Sequence, residues 1–208
     1  MTLKRRKLLS SCFFIILMAM SSNSRVFAQN NTQSQTESTD LKDKVDAALS
    51  KGVAFFHSIN SQGGYVYFVT PDLSRRWGEN PLDEFTIEVQ PPGTPIVGQS
   101  FLSAYKTTGD KKALDYAKEA AYALIRGQNK NGGWDHTINF KDLDKEKVSF
   151  DDNQTQSAVS FLMAIDQQIE DSIIHAATQR ALKMMVDTQL NNGGWPHKYP
   201  EQGHYHDY

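Results

Sequence analysis

The 208-residue sequence holds a single cysteine, Cys12, and it lies inside the apolar N-terminal run. Downstream of that run neither disulfides nor cysteine metal centres are available. Long apolar stretches are also scarce. The one candidate, Leu8 to Met20, is shorter than the roughly 20 residues that a spanning helix requires. It follows Lys4, Arg5, Arg6 and Lys7 and gives way to Ser21, Ser22, Asn23 and Ser24. Val26-Phe27-Ala28 then presents small residues where a signal peptidase reads, so residues 1–28 read as a signal peptide and the mature chain as secreted or periplasmic. An uncleaved anchor is the alternative. Cys12 stands near the start of the apolar run, the wrong place for a lipoprotein cysteine. Excess positive charge is missing too: removing the leader takes five of the 22 basic residues and leaves 17 against 24 acidic ones, formally −7. Clustered Lys and Arg for phosphate contacts are absent, which excludes nucleic acid as a partner.

Residues 29–40 begin with Gln29 to Thr39, a stretch rich in Gln, Asn, Ser and Thr with no periodicity, and read as a flexible linker. Residues 41–208 carry the periodic signal. Asn-Gly-Gly-Trp occurs at Asn131–Trp134 and again at Asn192–Trp195, 61 residues apart. Each copy stands three residues after a glutamine that closes a helical pattern, and Val53 to Tyr65 is a weaker copy. Phe101-Leu102-Ser103-Ala104 matches Phe161-Leu162-Met163-Ala164 at a spacing of 60, which implies a one-residue change in the intervening turn. A repeat of this length is a two-helix unit.

Apolar spacing predicts outer helices over Leu114 to Ile125, behind Gly109-Asp110, and over Ile173 to Val186, behind Asp171 or Ser172 as cap. Partner helices over Pro95 to Lys106 and Gln154 to Gln167 are apolar around much of their circumference and should be buried. Alternating inner and outer helices predict an all-α fold, an α/α toroid of repeated hairpins that is incomplete here. The chain stops at His204-Tyr205-His206-Asp207-Tyr208 without a closing helix, so a fragment is expected. Tyr65, Tyr67 and Val69 alternate and predict a short β-ribbon near residues 65–89, with Phe85 to Val89 as its partner.

Chemistry in such a fold is expected in the loops entering the inner helices. The second unit enters through Asp151-Asp152-Asn153, the first through Gln90-Pro91-Pro92-Gly93-Thr94-Pro95, and only the former carries charge. The plain reading of one acidic residue is a helix cap. Two adjacent carboxylates also suit a hard cation such as calcium. Lys198 and Tyr199, after the second Asn-Gly-Gly-Trp, reach the same groove if the hairpins are parallel. His204, His206 and Asp207 lie too close together at a chain end for a rigid zinc site. Trp77, Arg75 and Arg76 read as packing and solvated charge, with sugar-carboxylate binding as the alternative.

Phe150-Asp151-Asp152-Asn153-x-Thr155, a helix with Phe161-Leu162, and Gln189-x-x-Asn192-Gly193-Gly194-Trp195-Pro196-x-x-Tyr199-Pro200 together resemble the pectate lyases of polysaccharide lyase family 10. The resemblance is best over residues 147–208. It implies calcium-assisted β-elimination of polygalacturonate or a related acidic polysaccharide by a monomer. Asp151 would then organise calcium and the substrate carboxylate, with Asp152 and Asn153 beside it and Lys198 and Tyr199 in the substrate groove. Two positions depart from the family: Gln154 replaces a small residue and His197 a glutamine. The family's catalytic arginine belongs downstream of Tyr208, so this chain alone should be inactive. Gln128 to Trp134 and Gln189 to Trp195 also look like the repeats of triterpene cyclases, whose Asp-x-Asp-Asp acid is absent here. A non-catalytic carbohydrate-binding toroid is the third reading.

Overall fold

The computed structural model describes residues 38–200, in two units that divide between Leu49 and Ser50. The leader, most of the linker and the His204-to-Asp207 cluster lie outside the described residues. In the first unit, residues 38–49 are helical, so the last residues assigned to the linker already belong to a helix. Two i,i+4 pairs support it: Lys42 Nζ lies 2.5 Å from Asp46 and Lys44 Nζ 2.6 Å from Asp40.

The second unit opens with helix α1 (50–58). Strands β1 (Phe68–Val69), β2 (Arg76–Trp77) and β3 (Pro81–Leu82) make an antiparallel ribbon. Strand β4 (Thr86–Glu88) leads into the first hairpin, α2 (Thr94–Thr108) and α3 (Lys111–Arg126). After β5 (Thr137–Asn139) and β6 (Val148–Ser149), a 3₁₀ turn at Asp151–Asn153 enters the second hairpin, α4 (Gln154–Asp166) and α5 (Ser172–Asp187), followed by β7 (Lys198–Tyr199). The chain is thus mostly helical and repetitive, as its periodicity predicts, and the described hairpins form no closed ring.

The helix boundaries follow from the capping residues. Asp110 caps α3 by accepting the Lys112 N–H, and Asp171 caps α5 by accepting those of Ile173 and Ile174. Each such cap contributes about 1 kcal/mol. Gly109 closes α2 at φ +76°, a conformation that costs residues with a Cβ. Tyr122 Oη donates to Asp171 Oδ2 at 2.7 Å and so fixes α3 against the start of α5. The helices share one core, in which Phe101, Leu102, Leu124, Phe161, Leu162, Ile165 and Ile174 are all buried.

The repeat extends to individual hydrogen bonds. The Trp134 indole N–H donates to Leu124 O and that of Trp195 to Met185 O, both at 2.8 Å and with all four positions displaced by 61. The Gln128 side-chain amide donates to Gly132 O, and Gln189 to Gly193 O. Asp110 and Asp171, the two caps, are also 61 apart. Register is therefore constant at 61 between the capped helices and their turns. Phe101 and Phe161 keep their spacing of 60, and the one-residue difference falls between the inner helix and its cap, where the connection is longer after α4 than after α2.

The β-ribbon differs from its expected form. Phe68 and Val69 pair with Trp77 and Arg76, while Thr86–Glu88 pairs with Thr137–Asn139. Local closure wins for β1, where Thr70 N–H reaches Arg75 O and the Asp72 carboxylate accepts the Ser74 N–H. Strand β4 instead buries Ile87 opposite Ile138. Strands β6 and β7 repeat that ladder, with Val148 opposite Tyr199 and Ser149 opposite Lys198.

The glycine turns dock in a repeated way. Gly63 lies against the Glu119 carbonyl and Gly132 against that of Arg180, whereas Gly193 faces open space among the described residues. Trp134 is accordingly 1% exposed and Trp195 41%. Gly132 and Gly193 share φ near +90°, so alanine at either incurs the same backbone penalty of about 1–2 kcal/mol. Only at Gly132 would the new Cβ also meet a carbonyl, 2.9 Å away. Gly132→Ala should therefore lower unfolding free energy about 1–3 kcal/mol further than Gly193→Ala, as read from paired urea-denaturation curves.

Candidate functional site

The turn that carries Asp151 and Asp152 is anchored from beneath. The Trp134 carbonyl accepts the Ser149 N–H at 2.8 Å and the buried Thr155 hydroxyl at 3.1 Å, fixing the end of β6 and the start of α4 at one point. Phe150 N–H donates to His197 O at 3.0 Å, which extends the β6–β7 ladder towards the turn. Gln156 Nε2 donates to Phe150 O at 2.7 Å and so holds the strand side of the turn. Between these anchors Asp152 and Asn153 adopt φ of +40° and +62°. Two successive non-glycine residues in this region cost on the order of 1 kcal/mol each, and persist only when their surroundings enforce them.

The helix-cap reading of this turn does not hold. Asn153 occupies the cap position of α4 and no side chain there caps the helix. Asp151 Oδ1 accepts the Asp152 N–H at 3.0 Å and lies 2.9 Å from His197 Nε2. The exposed Asp152 carboxylate makes no hydrogen bond or ion pair among the described residues. The strained, well-anchored turn therefore exposes the Asp152 carboxylate to solvent and holds the half-buried Asp151 carboxylate beside His197.

Strand β7 places the other predicted residues beside it. Lys198 lies opposite Ser149 and is exposed. Tyr199 is half-buried and packs on the Val148, Phe150 and Met184 cluster. Asn153 is exposed next to Asp152. The arrangement also brings in His197, which sequence reasoning treated only as a departure from a family pattern. The signal that would have found it is the repeat, since His136 and His197 are 61 apart. Trp77 and Arg76 are half-buried in β2, with the Arg76 guanidinium donating to Ile59 O at 3.0 Å, so they serve packing there.

His136 reveals a second correction. The entry to α2 was read as uncharged, yet Glu88, at the end of β4, is 1% exposed with its Oε2 3.2 Å from His136 Nε2. The two atoms are not aligned as a hydrogen bond, and each lacks another partner. A loop-by-loop reading misses Glu88 because it belongs to the strand. Desolvation, then the nearby Glu79 charge, pushes the Glu88 carboxyl up to about 7. The Tyr67 hydroxyl is raised as well, first by burial and then by Glu88, Glu79 and Asp152.

Calcium takes six to eight oxygen ligands, and no group of three or more His, Cys, Asp or Glu among the described residues is arranged to hold a metal. The two carboxylates at Asp151 and Asp152 are nevertheless oxygen donors of the kind a hard cation takes, too few to cage one by themselves.

Residues 137–208 match the model of the pectic acid lyase family. The structure is similar to a family 10 polysaccharide lyase from Cellvibrio cellulosa, at 16% identity and a TM-score of 0.47, over 65% of this chain and 45% of that one. It is also similar to a mutant of such an enzyme from the same organism in complex with trigalacturonic acid, at 18% identity with the same TM-score and coverage. The chain thus spans a little under half the length of these solved structures. No curated protein matches. No described helix is long and apolar enough to cross a membrane.

The raised Glu88 carboxyl has a signed consequence for stability. Below its ordinary value of 4.5 it is protonated in both states; from there to about 7 the unfolded chain releases a proton that the folded chain keeps. Stability from this group therefore falls as pH rises through that window and stays low above it, by about 3 kcal/mol at most. Thermal unfolding at pH 5 and pH 8 should show a smaller alkaline loss for Glu88→Gln than for the wild type.

Proposed function

We propose that the protein carrying this pectic acid lyase segment cleaves polygalacturonate by β-elimination, and that the Asp151–Asp152 turn contributes its substrate-carboxylate site. The observation that carries the reading is the turn itself. Two adjacent carboxylates, one exposed and one half-buried beside His197, sit in a left-handed, uncapped entry to a buried helix, within the residues that match the family.

In the reaction a base removes the C5 proton of a galacturonate unit, the electron pair forms the C4–C5 double bond, and the C4–O4 bond breaks. The leaving oxygen then takes a proton. The barrier lies in the carbanion, whose charge spreads onto the C6 carboxylate. A bound calcium ion would supply positive charge there. Asp151 and Asp152 would hold it through carboxylate oxygens, with the Asn153 amide oxygen beside them. Fixing the carboxylates before substrate arrives lowers the reorganisation needed in the transition state. Lys198, exposed on the neighbouring strand, adds a cationic contact for a uronate, and Tyr199 supplies the edge of the groove.

The balance of charge supports the same picture. A mature chain near −7 meeting a polyanion needs cations at the interface. An exported enzyme would meet its polymer outside the cytoplasm, as the leader segment suggests. The general base is assigned to none of the described residues; what these residues would supply is binding and electrostatics.

In affinity electrophoresis through polygalacturonate, the chain should be retarded with calcium and released by chelator. Asp151→Ala with Asp152→Ala should weaken that retardation on the order of 10-fold or more. A longer form carrying the base should add the ultraviolet absorbance of the unsaturated product. Calcium-independent binding, with no such product from the longer form, would identify a carbohydrate-binding protein instead.

A further inference from the structure

Gln154 is the first residue of α4, directly after the two left-handed residues, and its side chain is buried. It does not turn back to cap its helix. Its Nε2 instead donates to Gln90 Oε1 at 2.9 Å and faces His136 Nδ1 at 3.2 Å. Both amide hydrogens are thus committed to the entry of the preceding hairpin and to the start of β5. With this amide orientation, His136 Nδ1 must be the acceptor, so the ring proton sits on Nε2. That nitrogen faces Glu88 Oε2.

Glu88 cannot withdraw. A Cβ placed on Gly78 would come 1.4 Å from its Oε1, and one on Gly93 would come 2.6 Å from its own Cβ. Glycine at both positions lets the backbone close over the carboxyl. Four of the buried polar atoms that lack a hydrogen-bond partner belong to this region: Tyr67 Oη, Glu88 Oε2, His136 Nε2 and Gln154 Oε1. The buried network runs from a clamped carboxylate through an imidazole to the residue that begins α4, two positions beyond Asp152.

We propose that Gln154, held by Gln90 and by His136 with Glu88 behind the imidazole, is a positioning residue that keeps the Asp151–Asp152 turn in its cation-binding geometry. This rests on the cation reading given above. Gln156, bonded to Phe150 O, secures the strand side of the turn, and Gln154 secures the helix side. Releasing Gln154 lets the first turn of α4 rotate, and Asp152 and Asn153 then relax from positive φ. The carboxylates lose their relative placement, while the core beneath Thr155 remains.

The test is titration of the whole chain with terbium(III), read by luminescence and competed with calcium. His136→Ala and Gln154→Ala should each weaken binding by roughly 10-fold or more, as loss of groups behind metal ligands commonly does. His136→Asn, whose amide oxygen can take the place of the Nδ1 acceptor, should stay within about threefold of the wild type. Circular dichroism and melting temperature are followed in parallel. Because His136 is partly exposed, its removal is the milder perturbation of the core. Unchanged affinity in His136→Ala and Gln154→Ala overturns the positioning role and leaves the cation reading standing. An equal loss in His136→Asn and His136→Ala also overturns it, since the acceptor would then be irrelevant. No binding by the wild type overturns the cation reading and this proposal together.

Discussion

One backbone carbonyl, that of Trp134, ties the second repeat together. It accepts the Ser149 N–H and the Thr155 hydroxyl, joining the incoming strand to the outgoing helix over a fully buried indole. In the first repeat the Tyr65 carbonyl accepts the Glu88 N–H at 2.9 Å and the Thr94 hydroxyl at 3.3 Å. A buried amide–carbonyl bond contributes only about 1 kcal/mol net, but leaving either partner unmet costs more. The junction is consequently rigid, and the residues between strand and helix adopt whatever path spans it. In one repeat that path is Gln90 to Gly93; in the other it is Asp151 to Gln154.

Function follows from that difference on a shared frame. The first path carries two prolines and a glycine, and its carboxylate, Glu88, lies two residues earlier on the strand, where it is buried. The second path is acidic, with Asp152 exposed and Asp151 half-buried. Each is accompanied by a histidine from the same place in the ladder: His136 beside Glu88, His197 beside Asp151. Moving the carboxylate from the strand end into the turn takes it from a buried place, where desolvation raises Glu88 to about 7, to one nearer solvent. Position relative to the junction sets that change, because burial governs desolvation.

Much of the helical scaffold was legible in the sequence. Asp110 and Asp171 are recognisable caps, and the apolar positions of α3 and α5 recur at helical spacing, so boundaries came within a few residues. The glycine turns were legible because positive φ restricts the choice of residue. Strand pairing was not, since two- and three-residue strands carry too little pattern to choose a partner. Phe85 to Val89 looked like the complement of Tyr65 to Val69, and Ile138 was the better partner only because it buries Ile87. His197 and Glu88 were missed for a related reason: neither belongs to a contiguous motif, and each becomes meaningful through a neighbour far along the chain.

The sequence by itself determined the repeat length, the helices, their caps and the acidic entry at Asp151 and Asp152, all consequences of local conformational preference and periodic burial. Only the tertiary structure decided that neither aspartate caps α4, that His197 lies on Asp151, and that Gln154 reaches across to Gln90 and His136. Those facts depend on where one hairpin meets the next. Contacts between residues some sixty positions apart are set by packing of the shared core, which no local pattern encodes.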